Sequence, residues 1–163
     1  MTHRSYMAGI WVLCVASLAG CGAPPPPPPT VVNITLRATA DDNPTADNHG
    51  APLALRVYQL GGAANFTGAE FFPLYNDDTG TLKTDLVHRD DFLLAPGATK
   101  AETVMPTDMV KSIGVFAAYR DFQHAVWHAS VDVAAHKTTT IVVTAGHDGI
   151  TLSSDAAPSK PAP

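Results

Sequence analysis

Three groupings of residues in this chain could do chemistry. His124 and His128 stand four apart, the spacing at which two imidazoles share one helix face around a zinc ion. The surrounding residues alternate instead. Val126, His128, Ser130 and Asp132 oppose Trp127, Ala129, Val131 and Val133. On such a strand His128 falls on the polar side and His124 falls in the preceding turn. Solvated histidines near Trp127 are expected, not a metal pair. The second grouping, Asp41, Asp42, Asn43, Asp47 and Asn48, offers oxygen ligands for calcium. An EF-hand-type loop wants Asp or Asn at its fifth position, Gly at its sixth and Glu at its twelfth. Counted from Asp41 those are Thr45, Ala46 and Pro52, so the pattern fails. The third grouping is Asp90 and Asp91, whose adjacent side chains diverge and cannot flank one substrate bond. There is no G-x-S-x-G elbow and no glycine-rich phosphate loop. No enzyme, cofactor, metal or small-molecule substrate is expected.

One further side chain has a chemistry of its own. Cys21 follows Leu18-Ala19-Gly20, just after an apolar stretch, residues 7–18, that itself follows Arg4. The stretch is too short to span a bilayer and suits the hydrophobic region of a secretory signal. Small residues before a cysteine at that place resemble the bacterial lipoprotein box, in which the thiol is acylated and the chain is cut before it. Residues 1–20 are then a signal peptide and Cys21 carries the lipid, a palmitate-type anchor. Residue 22 is Gly rather than the Asp of inner-membrane retention, so the periplasmic face of the outer membrane is expected. The only other cysteine, Cys14, leaves with the signal. Stability must then come from a packed core without disulfides.

The elements that position these residues follow from composition and period. The chain has 163 residues and a formal net charge of −5, which allows one domain, two at most. It lacks the basic patch of a nucleic-acid binder. Residues 21–30 hold six consecutive prolines, Pro24 to Pro29, a polyproline II spacer rising about 3.1 Å per residue. Residues 153–163 read as a disordered tail rich in Ser, Ala and Pro. Between them, residues 31–152 show period-two patterning typical of strands. In residues 31–40, Val32, Ile34, Leu36 and Ala38 share one face. Further strands are predicted over residues 53–60, 101–105, 112–119, 125–133, 137–145 and 150–152. Residues 41–52 form a polar loop. Thr67 and Glu70 have capping-box spacing and predict a short helix over residues 68–75. Residues 77–80 predict a turn, with a second short helix near Leu82 to Val87. Trp127 and the Phe71-Phe72 pair are expected in the core.

The residues now carry a resemblance. Residues 34–44 (ITLRATADDNP), Leu55 to Leu60 (LRVYQL), Phe66, Phe71-Phe72, Leu74, residues 94–97 (LAPG) and residues 113–120 (IGVFAAYR) with Trp127, in this order behind the cysteine box, resemble the TssJ (SciN) family. That family comprises outer-membrane lipoproteins of type VI secretion systems. The resemblance implies a mostly β, transthyretin-like two-sheet β-sandwich of seven or eight strands with a short helical insertion. It also implies a scaffold that binds the periplasmic C-terminal region of a TssM-like inner-membrane protein, partly through the loop after the first strand. Asp41, Asp42, Asn43, Pro44, Asp47, Asn48 and His49 are its candidate partner-binding residues. The alternative is a free-standing lipoprotein module for a small ligand, calcium or peptidoglycan. The loop is expected to join two paired strands and to contribute little core.

Overall fold

The alternating residues after the prolines become a strand, β1 (Val31–Ala38), whose even-numbered side chains are all buried. The computed structural model describes residues 24–155; Cys21, the signal segment and residues 156–163 lie outside the described residues. Seven strands follow: β2 (Leu53–Leu60), β3 (Leu86–Leu94), β4 (Thr99–Val104), β5 (Ser112–Ala117), β6 (His128–Asp132), β7 (Thr138–Gly146) and β8 (Gly149–Ser154). They form two four-stranded sheets, ordered β4-β1-β7-β8 and β3-β2-β5-β6. All neighbours are antiparallel except β1 and β7, which run parallel with Ile34 beside Ile141.

The core lies where the inner faces meet. Val32, Ile34 and Leu36 of β1 and Ile141 and Val143 of β7 face Leu55, Val57, Ile113 and Val115 of the opposite sheet. The second sheet is apolar on its outer face too. Tyr58, Leu60 and Phe116 pack there against Phe66, Leu74 and Leu82 of the helical insertion. Burial on both faces is why every residue of β5 is buried and why its alternation carries no polar partner set. Gly114 belongs to this layer, since a Cβ there would come within 2.9 Å of the Phe66 ring.

The insertion differs from its prediction. It holds α1 (Ala64–Thr67), α2 (Phe71–Asn76) and α3 (Asp78–Leu82), then a single 3-10 turn at Lys83–Asp85. Thr67 ends a helix rather than starting one, and its hydroxyl donates back to the carbonyls of Ala63 and Ala64. Glu70 caps α2 by backbone position alone. Pro73 lies in the first turn of α2, where its missing N–H would have no helical partner anyway. The expected turn at residues 77–80 is the start of α3, with the Asp77 side chain accepting from the Gly80 N–H at 2.9 Å. Leu86 and Val87 begin β3 rather than a helix.

Two further expectations change. β1 and β2 do not pair; they sit in different sheets, so residues 39–52 form a crossover rather than an overlong hairpin. The domain also runs past residue 152. β8 extends to Ser154, and Asp155 exchanges hydrogen bonds with the backbone of Thr140.

The sandwich has two distinct ends. At one, the Thr39 amide donates to Ala145, the Gly97 amide to Thr39, the Arg120 amide to the Asn43 side chain and the Val126 amide to Asp148. At the other, Val31 bonds Lys137, Val133 bonds Lys111, Lys111 bonds Leu60 and Gly61 bonds Asp85. The first is the upper end and the second the lower end. The proline segment joins at the lower end. There the buried Thr30 hydroxyl accepts from the His136 amide at 2.8 Å, and His136 Nδ1 lies 2.9 Å from the Pro28 carbonyl.

Candidate functional site: the upper end of the sandwich

Residues 39–52 build a two-tier projection from the upper end. The lower tier is strapped to the domain. Asn43, in a left-handed backbone conformation (φ 46°), donates from its side-chain amide to the Pro52 carbonyl at 3.1 Å. Its side-chain carbonyl accepts the Arg120 amide at 2.8 Å. The Ala51 amide closes back onto Asp42 at 3.0 Å. The upper tier is a small turn of its own. The Thr45 amide donates to His49, the Asn48 amide to Thr45, and the Thr45 hydroxyl accepts the His49 amide. This Thr-based turn, with Asn48 in the left-handed region (φ 61°), preorganises the tip with few contacts to the domain.

The seven sequence-predicted residues therefore separate into groups. Asp41, Asp47, Asn48 and His49 are exposed, and Pro44 is half-buried. Asp42 and Asn43 are buried at the base, so they shape the loop rather than offer surface to a partner. The expectation that the loop contributes little core is corrected to that extent. Its base is part of the fold, and only the tip is free.

The electrostatics of the base are unusual. Asp42 is 0% exposed, and neither carboxylate oxygen has a hydrogen-bond partner. Burial, reinforced by the neighbouring Asp41 charge, pushes its pKa up to about 6. Asp41 itself is held low, chiefly by the Thr39 hydroxyl donating to it at 2.6 Å. Burial, with the Asp42 charge, also raises the Tyr119 phenol, which donates to the Gly146 carbonyl at 3.0 Å. The hairpin residue His147 is raised by its 2.6 Å contact with Asp148.

Beside the loop lies an aromatic shelf that sequence reasoning placed in the core. Phe72 is 54% exposed, Tyr75 is exposed, and Leu93 is 73% exposed. Phe71 stacks on Phe122 at 4.4 Å between ring centroids, and Phe72 meets Phe122 edge-on at 5.0 Å. Phe122 belongs to residues 120–125, the segment that also bonds Asn43, so loop and shelf are contiguous. Arg56 holds α2 in place. Its guanidinium donates to the Tyr75 and Leu74 carbonyls and lies 5.3 Å from the Tyr75 ring centroid. Trp127 is half-buried, not buried, and stacks on His128 at 3.9 Å. The adjacency of two phenylalanines was the available signal for the shelf, since neighbours on a helix cannot both face inward.

The other candidates stay apart. His124 is exposed and pairs with Asp121 at 2.8 Å. His128 is tucked against Trp127 and Phe66, and burial lowers its pKa. Asp90 meets His88, whereas Asp91 meets Arg56 and Arg89. Among the described residues no cluster of three or more His, Cys, Asp or Glu side chains could hold a metal, and no helix is long and apolar enough to cross a membrane.

The molecule is thus a two-sheet sandwich with a projecting loop and an apolar shelf at the end opposite its proline segment. Residues 30–148 match the family described as type VI secretion lipoprotein, VasD, EvfM, TssJ, and the chain belongs to that family. The crystal structure of the T6SS lipoprotein TssJ1 from Pseudomonas aeruginosa is similar at 37% identity and a TM-score of 0.76, covering 80% of this chain and 100% of that one. Serratia marcescens Lip, described as a membrane bound component of the type VI secretion system, is similar at 26% identity and a TM-score of 0.70, over 77% of this chain and 98% of its own. A structure of the T6SS protein TssM C-terminal domain from EAEC holds a chain of the same fold, at 24% identity and a TM-score of 0.61, over 76% and 98%. No curated protein matches.

Proposed function

We propose that this chain is the outer-membrane lipoprotein of a type VI secretion envelope complex, lipid-anchored through Cys21 on the periplasmic face. Its task is to hold and recruit the periplasmic C-terminal region of a TssM-like inner-membrane protein. One observation supports this reading above the rest: tether and loop leave the sandwich at opposite ends. β1 alone separates them by eight residues, or about 26 Å at the rise of a strand. A domain anchored by its lower end presents the tip of residues 45–49 and the Phe72–Tyr75 shelf to whatever approaches from the periplasm. The tip is preorganised, which limits the ordering cost of binding. The exposed acidic residues Asp41 and Asp47 suit a basic or amide-rich partner surface.

The test is capture of the periplasmic C-terminal fragment of the TssM-like partner by the mature domain. Replacing residues 46–49 by Gly-Gly spares the strapped base at Asp42 and Asn43, so the domain stays folded. Capture should weaken by well over tenfold, about 1.4 kcal/mol per decade. Undiminished capture would place the interface elsewhere on the sandwich.

A further inference from the structure

The lower end carries two exposed methionines that the docking role does not use. Met105 is 72% exposed and Met109 is 65% exposed. Both lie in residues 105–111, which cross the lower end from β4 to β5. The segment is not loose. Val110 points inward at 3% exposure, the Val110 amide bonds Thr107 and the Lys111 amide bonds Leu60 at 2.8 Å. The Lys111 ammonium donates to the Asp108 carbonyl at 2.7 Å. Pro106 is buried as well, so the buried pair turns inward and the methionines turn out on a fixed frame.

Their position relative to the tether is set by register. β1 and β4 pair Val32 with Val104, so Met105 follows directly opposite Val31, where the proline segment enters. That segment is pinned to the same end as far as Pro28 by His136. Only residues 21–27 then separate Cys21 from the clamp, a reach of about 20 Å at the rise of polyproline II.

We propose that the lower end is a membrane-contact surface, with Met105 and Met109 seated at the headgroup–acyl boundary of the bilayer that holds the acylated Cys21. This rests on the lipoprotein reading above. The pinned tether keeps the methionines within reach of the bilayer at high effective concentration, so a contact too weak to hold a free domain still counts. Unbranched, polarisable thioether side chains suit a fluid, irregular boundary. At this end Lys83, Lys111 and Lys137 stand beside Asp85, Asp108, Asp132 and Asp155, with no excess of positive charge, so the contact is apolar rather than electrostatic. It fixes the long axis of the sandwich away from the membrane and aims the upper end at the periplasm.

The experiment uses the acylated protein in phosphatidylethanolamine–phosphatidylglycerol vesicles containing nitroxide-labelled lipid. Acylation occupies the only thiol of the mature chain, so a fluorophore can be placed singly at Met109→Cys or, as the upper-end control, at Asn48→Cys. The 109 label should be quenched several-fold more than the 48 label, and raising the salt should not change this. If the protein floats with the vesicles and the two labels are quenched alike, the membrane contact is overturned while the lipoprotein reading stands. If it does not float, both fall.

Discussion

Asp42 should destabilise this protein at neutral pH, and Asp42→Asn should relieve it. The carboxyl is fully buried without a hydrogen-bond partner, and its pKa rises from 3.8 to about 6. A folded-state pKa raised above the unfolded value means the folded state prefers the protonated acid. Its cost is absent below about pH 4, grows as the pH rises toward 6 and is complete at pH 7 and above. About two pKa units at 1.36 kcal/mol each give a cost of about 3 kcal/mol. Asparagine keeps the shape and removes the charge, but its amide has no partner either, which costs about 1–3 kcal/mol at every pH. The informative quantity is therefore the difference between two pH values, in which the amide penalty cancels. Urea unfolding of the soluble Cys21→Ser domain and of its Asp42→Asn derivative, at pH 4 and pH 7.5, measures it. The variant should gain about 2–3 kcal/mol relative to the parent between the lower and the higher pH. A stability difference independent of pH would refute the reasoning, because it would mean that Asp42 is either solvated or paired in the folded protein.

Other perturbations test other parts. Burial would raise the carboxyl of Asp78, but the 2.7 Å bond from Arg89, the Tyr58 hydroxyl and the Arg56 charge hold it low. It contributes stability above about pH 4 that is lost as the pH falls further, the opposite sense to Asp42. Asp78→Ala, which leaves the buried Tyr58 hydroxyl without its acceptor while Arg89 keeps Asp91, should cost about 1–3 kcal/mol by chemical denaturation at pH 7. Gly114→Val should cost about 1–3 kcal/mol, since its side chain would meet Phe66. Cys21→Ser should release the protein from the membrane fraction, and the mature domain should unfold at the same urea concentration with or without reductant; retention in the membrane or a thiol-dependent midpoint would contradict the reading of Cys21.

Much of the fold is legible in the sequence wherever one face of a strand meets the core. β1 alternates, and its apolar set is the buried set; β7 does the same with Ile141 and Val143. Legibility fails where the second sheet acquires another layer. β3 reads Leu-Val-His-Arg-Asp-Asp-Phe-Leu-Leu; its start reads as the end of a short helix or turn and only residues 91–94 as extended, yet it is a nine-residue edge strand. Its outward Arg89 and Asp91 pair with each other and with residues of the insertion and β2, contacts no local pattern announces. The insertion helices have four to six residues each, too short to impose a period of their own. The loop announces itself through Asp, Asn and Pro. The burial of Asp42 and Asn43 does not, because it is fixed by Arg120 and Tyr119, more than seventy positions away. Phe72 is misplaced for a related reason: a helix of six residues can bury only one side of a Phe-Phe pair.

On this reading the upper end meets the TssM-like partner while the lower end faces the membrane. A photo-cross-linking amino acid placed at Asn48, in cells producing the complete envelope complex, tests it most directly. Cross-linking from Asn48, but not from Lys137 at the lower end, should trap a covalent adduct with the partner's periplasmic C-terminal region. An adduct from Lys137 with none from Asn48 would turn the sandwich upside down and contradict the account.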